Sequence, residues 1–143
     1  MEKLKFTFMG NSHKSKKITP IEEILHRYGQ EICDYAKGYF NYIVTTTSVY
    51  ENVTEASLYV IVPEIGYDYK VLSISYIDTE YVNVNFFTLK TNQTESKRAS
   101  IKNGFDEVSN EITSLLNNSL ANQTFKFLVD QVDMKRESRE END

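Results

Sequence analysis

The chain contains one cysteine, Cys33, so no disulfide can close within it and no cysteine-based zinc site can form. Histidine is nearly as scarce. Only His13 and His26 are present, with no His-Glu-x-x-His pair and no Asp-rich calcium loop, so no metal site is expected. Glu22 and Glu23 are explained instead by the start of a helix, where negative charge is stabilised. Long apolar runs are missing too. The longest, Leu58 to Val62, is far short of the ~20 residues that a spanning helix needs. The segment after Met1 is charged from Glu2 onward, with no apolar core and no small-residue cleavage site, so no secretory signal is read there. The expectation is a cytoplasmic chain with no membrane partner, in which the Asn-x-Ser/Thr triplets at Asn52, Asn92, Asn117 and Asn122 arise by chance.

Glycine and positive charge are limiting in the places where phosphate chemistry needs them. Residues 10–17 run Gly-Asn-Ser-His-Lys-Ser-Lys-Lys, but a phosphate loop requires a second glycine directly before Lys-Ser/Thr and a helix starting at that point. Here the helix signal begins later, at Thr19, and the segment reads as a basic arm. The formal net charge of -5 supplies no long-range pull toward nucleic acid or anionic lipid. Helix, strands and helix is also the element order of double-stranded RNA-binding domains. Those domains gather basic residues at the second helix, where this chain reads Asn103-Gly-Phe-Asp-Glu, so no nucleic-acid partner is expected.

What the chain has is aromatic and β-branched side chains at ordered spacings. The hydrophobic fraction of 40%, with 10 Tyr and 8 Phe, supplies enough apolar area to offset chain entropy over a single-domain length of 143 residues. Leu4, Phe6 and Phe8 alternate as a short strand would. Thr19, Pro20 and Glu22 form a helix-start signature. Ile21, Leu25, Tyr28, Ile32, Tyr35 and Tyr39 then recur at three- and four-residue spacing, predicting a helix over about 20–37. β-Branched and alternating stretches predict strands over about 40–50, 57–63, 67–77 and 80–90, joined by short turns and therefore paired as an antiparallel meander. Residues 91–100 read as a crossing loop. A second helix starts near Asn103, with Phe105, Val108, Ile112, Leu115, Leu116 and Leu120 on one face. Phe125, Phe127 and Val129 alternate, so 124–132 reads as a strand, and 134–143 as a disordered charged tail.

The fold class that follows is α+β: an antiparallel sheet of four to five strands with two amphipathic helices packed mainly on one face. The domain spans 19–133, after an N-terminal arm over 1–18. The order helix, strands, helix, strand in a small acidic chain resembles the type III secretion chaperones, and that resemblance implies a dimer.

No catalytic constellation emerges. Cys33 and His26 lie seven residues apart on the first helix, ~10.5 Å along its axis and too far for a thiol–base hydrogen bond. Neither a catalytic residue nor a cofactor is assigned. The leading candidate is the sheet face turned away from Val82, Val84 and Phe86, which carries Tyr59, Tyr81, Asn83, Asn85 and Phe87 and is expected to be uncharged. Tyrosine-rich faces suit protein contacts because tyrosine brings large area, a polar tip and little entropy loss. The expected function is thus a non-enzymatic interaction module (adaptor, chaperone-like or immunity-type) that binds a protein partner or a second copy of itself. The alternative is a small-molecule-binding domain or enzyme with a pocket between sheet and helices, lined by Tyr28, Tyr35 and Tyr39.

Overall fold

Thr19 starts the first helix as the sequence predicts. Its Oγ1 accepts from the Glu22 backbone N–H at 3.2 Å, Pro20 occupies the first turn, and α1 runs Pro20–Tyr35. The computed structural model describes residues 19–49, 52–89 and 94–142. The predicted strand over Leu4 to Phe8 and the basic arm lie outside the described residues. After α1 come β1 (Asn41–Val49), β2 (Asn52–Val62), a 3-10 turn (Pro63–Ile65), β3 (Tyr67–Tyr76), β4 (Tyr81–Phe87) and β5 (Thr94–Ser100). Helices α2 (Asp106–Leu116) and α3 (Ser119–Asn142) complete the chain.

The five strands form one sheet in the order β1-β2-β3-β4-β5, every neighbour antiparallel. This is the α+β meander of four to five strands that the sequence predicts, with one helix more than its periodicities resolve. One face is the core. Leu58, Val60 and Val62 of β2, Leu72 and Ile74 of β3, and Val82, Val84 and Phe86 of β4 are all fully buried there. All three helices contribute to the same core: Ile21 and Leu25 from α1, Val108 and Ile112 from α2, Leu128 and Val132 from α3. α1 lies over β1 and β2, while α2 lies over β4 and β5. The β2–β3 register shifts between Leu58 and Tyr59: Leu58 faces Leu72 while Tyr59 faces Lys70. Val71 is the extra residue of this bulge, and both Val71 and Leu72 are buried.

Three segments differ from the sequence reading. Residues 94–100, read as loop, pair along all of β4 as β5. Thr94, Ser96, Arg98 and Ser100 carry no apolar alternation, and the hydrogen-bonding edge of β4 holds the strand in place of a hydrophobic stripe. Residues 124–132, read as strand, belong to α3. Ala121, Thr124, Leu128 and Val132 are its buried stripe, and Phe127 is 53% exposed. The start of α3 is fixed by Asn118, whose Oδ1 accepts from the Ala121 N–H at 2.8 Å as an N-cap. Residues 134–142, expected as a disordered tail, extend α3. Arg136 donates to Gly38 O at 2.8 Å, and Arg136 and Arg139 both pair with Glu64 of the 3-10 turn. With a helix at the C-terminal end in place of a strand, the element order behind the chaperone resemblance is not observed.

Candidate functional site

The candidate face is built by β2, β3, β4 and β5. Since Val82, Val84 and Phe86 point into the core, Tyr81, Asn83, Asn85 and Phe87 point out, and all four are half-buried. Tyr59 shares their face, opposite Leu58 and Val60 and across from Lys70. The register brings the five predicted residues onto one surface. Among the described residues, the helices pack on the opposite side.

This surface is not uncharged. A single row across the strands reads Glu55, Ser75, Asn83, Arg98, since Glu55 pairs with Ser75, Ser75 with Asn83 and Asn83 with Arg98. Lys70 stands on the same face, its Nζ 3.4 Å from Glu55 and 5.0 Å from the centre of the Phe87 ring. The Arg98 guanidinium lies 4.1 Å from the Tyr81 ring centre, and Lys102 Nζ lies 5.3 Å from it. Asn85 is held by Ser73, to which its Nδ2 donates at 3.2 Å, and by Ser96, which donates to its Oδ1. Sequence reasoning missed Glu55 and Arg98 because it began β2 at residue 57 and placed Arg98 in a loop. Lys70 could have been found, since Asp68 and Lys70 alternate with Tyr67, Tyr69 and Val71 in the sequence.

A second feature lies where the helices meet. The C-terminal turns of α1 and α2 and the flank of α3 enclose a groove of about 840 Å³. Its floor is apolar: Ile32, Phe40, Leu116, Phe125 and Val129. Glu31, Tyr35, Asn117, Asn122 and Lys126 form its polar edge. The rings of Tyr39, Phe40, Phe125 and Tyr69 follow one another at centroid separations of 6.2 to 6.4 Å. The pocket alternative places Tyr28, Tyr35 and Tyr39 between sheet and helices; this groove lies among the helices instead, with Tyr35 and Tyr39 in its lining and Tyr28 outside it. Its hydroxyl donates to Ser109 O at 2.9 Å and lies 2.6 Å from Thr113 Oγ1, joining α1 to α2. The Tyr39 hydroxyl donates to Asp133 at 2.7 Å. That bond, with partial desolvation and the nearby carboxylate, raises its pKa.

Cys33 is half-buried, and its thiol pKa is raised by burial and by the neighbouring Asp34 carboxylate. His26 bonds Tyr42, with Nδ1 3.2 Å from the hydroxyl. Among the described residues, no group of three or more His, Cys, Asp or Glu side chains could hold a metal ion. No helix there is long and apolar enough to cross a membrane. Comparison with protein-family models, with curated proteins and with solved structures gives no match.

Proposed function

We propose that this protein is a non-enzymatic interaction module whose open sheet face binds a second copy of the same chain. The observation that carries the proposal is the Glu55–Ser75–Asn83–Arg98 row, which bears opposite charges at its two ends. A two-fold axis running along the strands between β3 and β4 would set β2 of one copy against β5 of the other. It would bring Glu55 over Arg98 of the partner subunit, and the reverse, so the face is complementary to itself. The same operation sets the Lys70 strand over the Phe87 strand, where a cation meets a ring.

Size sets the strength of the contact. The shared face of four strands, about 4.8 Å apart and about seven residues long, covers about 450 Å². Two copies then bury about 900 Å², the size of a weak or transient contact, so the dimer is expected at high protein concentration. The rings of Tyr59, Tyr81 and Phe87 would supply the area, with the charges fixing register.

The test is the solution mass by light scattering after size exclusion, over a concentration series. Wild type is expected to dimerise. Glu55→Arg and Arg98→Glu, each alone, are expected to weaken the dimer about tenfold or more, and the double exchange to restore it. Tyr81→Lys is expected to abolish association while the fold is kept. A strict monomer at all concentrations, or single charge reversals without effect, would sink this assignment. Unfolding by Tyr81→Lys would place that face in the interior of the chain.

A second reading, small-molecule binding, is supported by the groove. Its volume and its apolar floor with a few polar groups match those of ligand sites.

A further inference from the structure

We infer that the outer edge of β1 takes residues 4–8 of this same chain as an added, parallel strand. β1 is the first strand of the sheet, and among the described residues it pairs with β2 alone. Its other side therefore offers a row of backbone N–H and C=O groups to a further strand. The two edges of the sheet are not alike. β5 carries Glu95, Lys97 and Arg98, charges of the kind that keep a second strand off an edge. β1 reads Asn-Tyr-Ile-Val-Thr-Thr-Thr-Ser-Val, which is β-branched and has no charge, proline or glycine.

Pattern, connection and reach identify the occupant. Leu4, Phe6 and Phe8 alternate with Lys5 and Thr7. On the helix side of β1, Tyr42 and Val44 are half-buried at the margin of the core, and an apolar strand side would extend that core beneath α1. Lys5 and Thr7 would then lie on the open face, beside Ile43. α1 follows the segment, lies over β1 and β2, and leads directly into β1, so it is the crossover that two parallel neighbours require. Because only residues 36–40 separate α1 from β1, α1 runs back along that strand. Gly29 and His26 both meet Tyr42 near the start of β1, and Thr19 lies toward the Thr47 end. Residues 9–18 span up to about 33 Å, enough to pass the about 23 Å of Asn41–Thr47, the stretch before the register shift at Ser48. This assignment is independent of the open face and leaves it free.

The experiment is amide hydrogen exchange by NMR on the full chain, at concentrations where it is a monomer. Alternate amides of Asn41–Thr47 point away from β2, and in an open edge they exchange at once. They are expected to be protected about hundredfold or more, equally across a concentration series. Phe6→Lys, and separately deletion of residues 2–9, should remove that protection while the amides bonded to β2 keep theirs. Phe6→Leu should retain it. Immediate exchange of the outward amides in the wild type would overturn the assignment. Protection that grows with concentration would overturn it in favour of a second copy at this edge. Protection that survives both variants would overturn it in favour of another part of the chain. Loss of protection throughout the sheet in both variants would also overturn it, by making the segment a support of the core and not an added edge strand.

Discussion

Replacing Gly29 by alanine sets two effects of opposite sign against each other. Gly29 is buried in α1, where β1 comes close to the helix. In an open helix the change would stabilise by about 1 kcal/mol through backbone propensity. Here an added Cβ would stand 2.5 Å from Cδ2, 2.6 Å from Cγ and 2.9 Å from Cε2 of Tyr42. Cγ is the root of that ring, so a flip about the ring axis cannot relieve the clash. The whole side chain must swing, or β1 must retreat. Overpacking of this kind costs about 1–3 kcal/mol. The swing also breaks the 3.2 Å hydrogen bond between Tyr42 and His26, worth about 1 kcal/mol. The net expectation is a loss of about 1–3 kcal/mol. In a Tyr42→Ala background the ring is gone, and Gly29→Ala should then stabilise by up to about 1 kcal/mol. Urea unfolding followed by circular dichroism reads both legs of this cycle, with equal slopes required for the comparison. Stabilisation by Gly29→Ala in the wild-type background would refute the argument, because the space taken by Tyr42 is its whole basis.

Two other predictions concern the end of α3 and the thiol. Glu64→Ala removes the partner of Arg136 and Arg139, and hydrogen exchange over residues 134–142 should quicken, while global stability falls by less than about 1 kcal/mol because the pairs are partly solvated. Unchanged exchange there would mean that Gly38 and Tyr39 alone hold the helix end. Cys33 should react with iodoacetamide more slowly than a free thiol near pH 8, since burial and Asp34 disfavour the thiolate, and the rate should keep rising above the ordinary thiol range. Reaction faster than a free thiol would show that the environment activates Cys33.

The first helix was legible almost to the residue because its start carries its own chemistry: Thr19 caps, Pro20 fits the first turn, and the apolar stripe repeats at helical spacing. β4 was equally plain, since it has one wetter and one dry face and records that alternation in sequence, whereas β3 breaks its alternation at the Val71–Leu72 bulge. The candidate face was legible in part. Tyr81, Asn83, Asn85 and Phe87 share a strand, so a period of two places them together without any knowledge of the sheet. Their charged neighbours were out of reach, because Glu55 and Arg98 meet that row only through the pairing of separate strands.

By itself, then, the sequence determined the elements that each carry a local signature, and through short turns the antiparallel order of β1 to β4. Only the tertiary structure decided the rest. β5 is a strand because the free edge of β4 satisfies its backbone groups, and no pattern of its own requires it. α3 is a helix although Phe125, Phe127 and Val129 alternate, because a core already floored by the sheet takes Leu128 and Val132 from one helical face. The groove exists only where the ends of two helices meet the flank of a third. Short-range periodicity sets which way each side chain can turn, and long-range packing sets what it turns toward.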